Sequence, residues 1–272
     1  MSMRINHNIA SLMAQKNVNR SSSAMSQSYA RLSSGLRITR AADDAAGLGV
    51  SENLRADIAS SQVAMRNTND GISVVQIAEG ALGESHSILT RMRELAMESA
   101  SETLGDEERA YLQTEFDAIR DEISRLAEVT EFNGVQLLDG TTSALDVQVG
   151  IHDGHTIAIT LDAMSAGDLG LSALTVSTAA GGSSALASID SAIASVSSHR
   201  ASLGAAQNRL GHAYRNLEVS VENMTAAESQ IRDVDFASET AQLTKNQILA
   251  QAGVSVLAQA NFAPQMALSL LG

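Results

Sequence analysis

The sequence predicts a mainly α chain: an elongated helical bundle or coiled coil with one small β-hairpin region, its N- and C-termini paired at one end. Three observations carry this. Two long stretches, 54–89 and 186–231, repeat large apolar residues at heptad spacing, with a shorter such stretch between them. The composition suits helices packed through small side chains: aromatics make up 3%, Trp is absent, and Pro264 is the single proline. Both ends differ in charge from everything between them. With 272 residues there is material for one large domain or two small ones.

The first element is the N-terminal stretch. Its 42 residues before Asp43 contain Arg4, Lys16, Arg20, Arg31, Arg37 and Arg40 and no acid, although the chain holds 31 carboxylates. Ile5, Ile9 and Leu12, then Met25, Tyr29, Leu32 and Leu36, fall at 3/4 spacing and outline an apolar helix stripe. Gly35 and the run 40–49 then read as a connector, with Asp43 or Asp44 capping the next helix. Paired aspartates also suggest a metal site, but no third ligand stands at useful spacing.

A heptad frame follows through Leu54, Ile58, Met65, Ile72, Val75, Leu82 and Leu89. A helix of that length spans roughly 50–80 Å at about 1.5 Å per residue. Gly71, Gly80 and Gly83 each cost about 1 kcal/mol relative to Ala in such a helix, so close approach by a neighbour is expected there. Gly105-Asp106 breaks and restarts the helix, and Leu112, Phe116, Ile119, Ile123 and Leu126 continue at 4/3 spacing. Asn133-Gly134 and Asp139-Gly140 mark turns. The clear β signal comes next: Leu145, Val147, Val149 and Ile151 alternate, 152–155 turns, and Ile157, Ile159 and Leu161 alternate again. Residues 167–184 are rich in Gly, Ser and Thr and read as a surface loop.

The second heptad array takes in Leu186, Ile189, Ile193, Val196, Leu203, Leu210, Tyr214, Leu217, Val221, Met224 and Ile231, with Arg200, Gln207 and Glu228 as polar members. Asp233, Asp235 and Glu239 can face the basic N-terminal segment. The last 27 residues, after Lys245, carry no charged side chain, and sixteen are apolar. A solvated tail is normally polar, so this one reads as built to be covered. Gln247, Gln251, Gln259, Asn261 and Gln265 interrupt it, Gly253 and Pro264 weaken a helix, and no run reaches the ~18 apolar residues of a membrane span. A protein partner is expected, and membrane insertion is not.

Catalytic patterns are missing from the sequence. There is no Walker loop, no Gly-x-Ser-x-Gly elbow and no His-Glu-x-x-His, and Gly47-Leu48-Gly49 lacks the rest of a dinucleotide fingerprint. The six histidines (7, 86, 152, 155, 199 and 212) are scattered, and His152, Asp153 and His155 read as a polar turn before a metal site. Zero Cys excludes disulfides and thiolate chemistry. A net charge of −13 argues against nucleic acid as partner. The first ten residues lack the apolar core of a signal peptide. No enzyme activity, cofactor or metal is expected.

Several segments resemble signatures of the bacterial flagellins, in the right order. They are Arg4 to Ile9, Leu32 to Ile38, Asp43 to Leu48, Asn67 to Ile72, Phe132 to Leu138, Ile248 to Gly253, Val256 to Asn261, and Pro264 to Leu271. The resemblance spans nearly the whole chain except roughly 165–200. Gly272 departs from the Arg with which many members end. The resemblance implies that 1–42 and 233–272 form a discontinuous inner coiled-coil assembly domain, and that 43–232 form an outer rod domain with the hairpin near 145–161. It implies a minimal member, since the loop after the hairpin is too short for the family's variable outer domains.

The function so implied is that of a structural subunit self-assembling into the extracellular flagellar filament used for swimming, exported unfolded. Ile5, Ile9, Leu12, Leu249, Val254, Val256, Leu257, Met266, Leu268, Leu270 and Leu271 are the expected carriers of inner packing. Ends that cannot bury themselves alone are expected to fold on addition to the filament. The partners implied are other copies of the chain, an export chaperone, a filament cap and hook-junction proteins. Host receptors sense some members through the stretch that here includes Arg91 and Leu95, and Ser and Thr in 165–200 are candidate glycosylation sites. The alternatives are a hook–filament junction protein and, further off, a cytoplasmic coiled-coil scaffold.

Overall fold

Local sequence decides where each helix starts and stops. The structure, a computed structural model, describes the backbone of residues 7–269 and the side chains of 7–262. Helix α1 (Ile9–Ser34) begins where the Asn8 side chain accepts the Ser11 N–H. It ends where Gly35 turns left-handed at φ 73° and returns its N–H to the Arg31 carbonyl. The two aspartates of the connector divide their work. Asp44 accepts the Gly47 N–H at 2.8 Å and opens α2 (Ala45–Ser99). Asp43 instead closes the turn before it, accepting from the Thr39 and Arg40 backbones and from the Thr39 hydroxyl.

Helix α3 (Asp106–Val129) starts at Gly105 without a side-chain cap, but Asp106, Glu107 and Glu108 lie in its first turn, where the helix dipole favours them. Asn133 and Gly134 both have positive φ and join β1 (Glu131–Phe132) to β2 (Val135–Gln136), a tight hairpin where the sequence marked only a turn. The second hairpin is the expected one. Strands β3 (Ala144–Gln148) and β4 (Thr156–Thr160) pair antiparallel, with Leu145 opposite Ile159 and Val147 opposite Ile157. His152, Asp153 and His155 are exposed in its turn.

The stretch expected to be a surface loop is only partly one. Leu171 and Val176 are fully buried, and α4 (Ala179–Arg232) starts inside it. Gln113 Oε1 accepts from the Val176 N–H and the Thr175 hydroxyl, and Ser99 donates to the Val176 carbonyl. The few apolar residues among the Gly, Ser and Thr pin this segment down. Helix α5 (Phe236–Ser269) follows α4 after a short break.

Contacts divide the chain into two compact units, and the division falls within α2 and α4. The central unit, Asp57–Glu222, holds one continuous apolar core made by α2, α3, α4, the hairpins and the 161–176 segment. There α2 and α4 are antiparallel neighbours: Glu79 meets Arg200, Arg93 meets Asp190, and Ala96 meets Gly182.

Both helices show the same departure from the expected frame. One heptad row is as read: Val75, Leu82 and Leu89 on α2, and Ile189, Val196, Leu203, Leu210 and Leu217 on α4. The other buried row lies one residue earlier than expected and is mostly small. On α2 it is Ala64, Gly71, Ala78, Ser85, Met92 and Ser99; on α4 it includes Ala185, Ala192, His199 and Ala206. Ile58, Met65, Ile72, Leu186, Ile193 and Tyr214 flank the seam half-buried. Small residues at the centre let the backbones approach, which Gly182 shows directly: a Cβ there would stand 2.8 Å from the Ala96 carbonyl oxygen. Gly71 likewise lies under Val147, whereas Gly80 and Gly83 have no close neighbour among the described residues.

The terminal unit comprises the chain up to Ala56 and from Asn223 onward. Here α1 and α5 run antiparallel. Asn8 donates to the Ala260 carbonyl at 2.8 Å, Gln247 to the Tyr29 hydroxyl at 3.0 Å, and Arg31 pairs with Glu239 at 3.6 Å. A single β-bridge, Leu36 to Asp233, closes the pair, reinforced by the Arg37 N–H on the Arg232 carbonyl and the Val234 N–H on the Gly35 carbonyl.

Candidate assembly surface

The inner face of the α1–α5 pair mixes small and polar residues with a few large apolar ones. The less exposed positions of α1 are Ser11, Ala14, Val18, Ser21, Met25, Ser28 and Leu32; those of α5 are Glu239, Leu243, Asn246, Ala250, Gly253, Leu257 and Ala260. Both sets step by three and four, so each helix commits one heptad seam to the other. At Gly253 the approach is close: a Cβ would lie 2.7 Å from Val18 Cγ2.

Other large apolar residues of the pair are left outside. Leu12 is 61% exposed and Val256 59%, and Ile9, Leu249 and Val254 are exposed alongside them. Water at such side chains is costly, since full burial of each is worth roughly 1.5–3 kcal/mol. Three further residues share this exposure and escaped the sequence reading: Met13, Ile248 and Phe262. Their signal was available, because they are the large apolar residues that the small-residue seams leave on the opposite face. Leu257 differs from its expected companions and is half-buried on the α1-facing seam. Met266 and Leu268 lie on the α5 backbone with side chains outside the described set, and Ile5, Leu270 and Leu271 lie outside the described residues.

The pair is also one-signed. Between Ile9 and Ala42, and again from Thr240 to Ser269, there is no carboxylate, while Lys16, Arg20 and Lys245 are exposed. The acids at its base are engaged: Glu239 with Arg31, and Asp235 with the Ala237 and Ser238 N–H groups that open α5.

Arg91 and Leu95 share a helix turn but not an environment. Arg91 is on the surface, its guanidinium bonded to Glu94 Oε2 at 2.9 Å and Glu115 Oε1 at 2.8 Å. The hydrogen bond it donates to Glu94, then those to Glu115, hold its pKa above the ordinary arginine value. Leu95 is fully buried in the central core. Nearby, Arg109 is a buried cation that the sequence reading missed. It donates to the Ser99 carbonyl at 3.0 Å and the Ser101 carbonyl at 2.7 Å, so it satisfies the orphan end of α2 from the start of α3. His199, buried on α4, stands 2.9 Å from the Asp162 carboxylate.

Among the described residues, no cluster of three or more His, Cys, Asp or Glu side chains is placed to hold a metal ion. No helix there is long and apolar enough to cross a membrane.

Comparison with known proteins agrees with this geometry. The family model of the bacterial flagellin N-terminal helical region matches residues 5–143, and that of the bacterial flagellin C-terminal helical region matches residues 186–271. The chain is 45% identical to a flagellin of Halalkalibacterium halodurans, over 99% of this chain and 100% of that one. It is 43% identical to a flagellin of Bacillus subtilis, again over 99% and 100%. Among solved structures, the crystal structure of Bacillus cereus flagellin is similar at a TM-score of 0.51 and 31% identity, covering 60% of this chain and 94% of that one. With an unpartnered apolar face on its paired terminal helices and family matches at both ends, the chain belongs to the bacterial flagellins.

Proposed function

We propose that the outward faces of α1 and α5 are the surface through which this flagellin packs against other copies of itself. A flagellin is a structural protein and not an enzyme, and it self-assembles into the extracellular flagellar filament. The observation that supports this surface is the exposed apolar face of the terminal unit: its helix pair leaves Ile9, Leu12, Leu249, Val254 and Val256 in water. Copies packed side by side would cover that face. In this reading Leu257 acts by holding α5 on α1, and Met266, Leu268, Leu270, Leu271 and Ile5 extend the same surface.

The domain division goes with it: 1–42 and 233–272 are the inner assembly domain and 43–232 the outer rod. Before assembly the exposed apolar face needs protection, which is the role of an export chaperone. A cap protein at the tip and junction proteins at the base complete the partner set. The relatives named flagellin match over their full length, which favours a filament subunit over a hook–filament junction protein or a cytoplasmic scaffold. Arg91 is the more accessible member of the receptor-facing pair, and Leu95 acts by supporting it.

The test is seeded polymerisation of purified monomer, the full chain against residues 44–232, read by pelleting and negative-stain microscopy. Long filaments from the full chain alone are expected. Filaments from the truncated chain would move the driving interface elsewhere.

A further inference from the structure

Where the two hairpins lie against α2, the central unit has a cleft of about 360 Å³, at the small end of ligand-sized cavities (roughly 300–1,000 Å³). Its floor is apolar, with Leu137, Val147 and Ile159. Its polar lining residues include Asn67, Asn133, Asp70 and Asp146. Both carboxylates belong to exposed residues. Among the described residues neither joins an ion pair, whereas other acids of the central unit, on α2 and α4, do: Glu79 with Arg200, Glu94 with Arg91, Asp190 with Arg93.

An apolar floor with acidic residues in the lining fits an aliphatic stem with a cationic head, which is the build of an arginine or lysine side chain. The chain itself supplies a source. Its first 42 residues hold six cations and no acid. Of these, Lys16, Arg20, Arg37 and Arg40 are exposed and join no ion pair among the described residues, and Arg37 already donates to the Ile231 carbonyl. Cleft and cations are therefore unmatched in opposite senses. A contact between two different patches of the same chain is heterologous and need not close, so repeating it extends a filament.

We propose that the Asp70–Asp146 cleft of one copy receives a basic side chain from the acid-free stretch, Lys16 to Arg40, of a second copy. The proposal rests on the filament reading above and adds a specific polar contact to its apolar one. The contact fixes register between copies, while the apolar faces of α1 and α5 supply most of the association.

The experiment measures the critical monomer concentration for seeded growth of the full chain. Asp70→Asn with Asp146→Asn keeps the shape and removes both charges; it is expected to raise that concentration about three- to tenfold. The monomer's melting midpoint is expected to stay put, since neither carboxylate has a partner within the chain. Asp146→Lys is expected to impair growth further, and combining it with Lys16→Glu, Arg20→Glu or Arg40→Glu in the same chain should restore growth in one case. That case names the occupant. Growth of the double Asn variant at the wild-type concentration overturns the proposal, as does failure of all three reversals to restore it. Unchanged growth together with monomer binding of arginine amide would assign the cleft to a small cationic ligand instead. A wild-type chain that never polymerises overturns the filament reading and this proposal together.

Discussion

The central and terminal units use the same heptad grammar and spend their large apolar residues differently. In the central unit, small residues line one row of each seam and large ones the other, and every large row finds a partner within the chain. In the terminal unit the facing rows mix small and polar residues with Val18, Met25, Leu32, Leu243 and Leu257, and many of the other large apolar residues face out. Of the largest fully buried side chains, all but Ile38 belong to the central unit. The difference separates two requirements on one chain. That difference fits the proposed assembly, in which one part is stable alone and the other gains stability by association.

The sharpest way to break this comparison is to place a charge on the outward face. Leu249→Asp with Val256→Asp is expected to abolish polymerisation, because each buried carboxylate would lack a partner at the interface. The monomer's melting midpoint should barely move, since both positions are already in water. A monomer that unfolds in these variants would show that the face is intramolecular after all.

The counterpart in the central unit should behave in the reverse way. Leu203 is fully buried, and Leu203→Ala is expected to cost the monomer about 2–5 kcal/mol in denaturant unfolding. Once folded, that variant should still elongate seeds. Failure to elongate at concentrations where it is folded would tie the central core to assembly and dissolve the distinction between the units.

A subtler cut tests why the seams are small. In a solvent-exposed helix Gly→Ala gains about 1 kcal/mol. At Gly182 the added Cβ meets backbone atoms of α2, the Ala96 carbonyl oxygen and the Ala100 nitrogen, at 2.8 and 2.9 Å. Gly182→Ala is expected to lower stability by about 1–3 kcal/mol despite the propensity gain. Gly80→Ala, with nothing in its way, is expected to raise it slightly. Equal shifts for the two would mean that backbone approach does not set the seam.

This near-miss explains what could be read in advance. The helices, the main hairpin and the paired ends were legible because large apolar residues recur at fixed spacing and the turns carry Gly, Asn and Asp. The rows through Val75, Leu82 and Leu89 and through Ile189, Val196 and Leu203 were legible for the same reason. Their partner rows were not. Searching for large residues selects Met65, Ile72 and Ile193, which flank the contact, over Ala64, Gly71 and Ala192, which make it. Hydrophobicity marks what is worth burying, whereas closeness of backbones is decided by what is absent. Arg109 was missed because one arginine in an acidic helix start looks solvated; only the fold brings the Ser99 and Ser101 carbonyls to it.

The smallest expected effect concerns the turn that follows α1. Asp43 holds it together by accepting from the Thr39 hydroxyl and N–H, the Arg40 N–H and the Gln27 amide. The Thr39 hydroxyl first, then the Thr39 N–H, draws the carboxyl's pKa below its ordinary value. A depressed carboxyl stabilises the folded turn when ionised. That contribution is complete above the ordinary aspartate value, about 3.9, and is lost as pH falls through the lower value in the fold. Protection of the Thr39 and Arg40 amides, taken relative to the intrinsic exchange rate at each pH, should therefore be constant from neutral pH down to about 4, and then fall relative to that of the α1 amides as the carboxyl protonates. Asp43→Asn should remove that acid step and leave a modestly faster baseline at every pH, because the amide accepts with one oxygen and without charge. An acid step that survives the substitution would belong to another carboxylate. Asp43 would then be a passive member of the turn, and the terminal unit would draw its order from the α1–α5 seam alone.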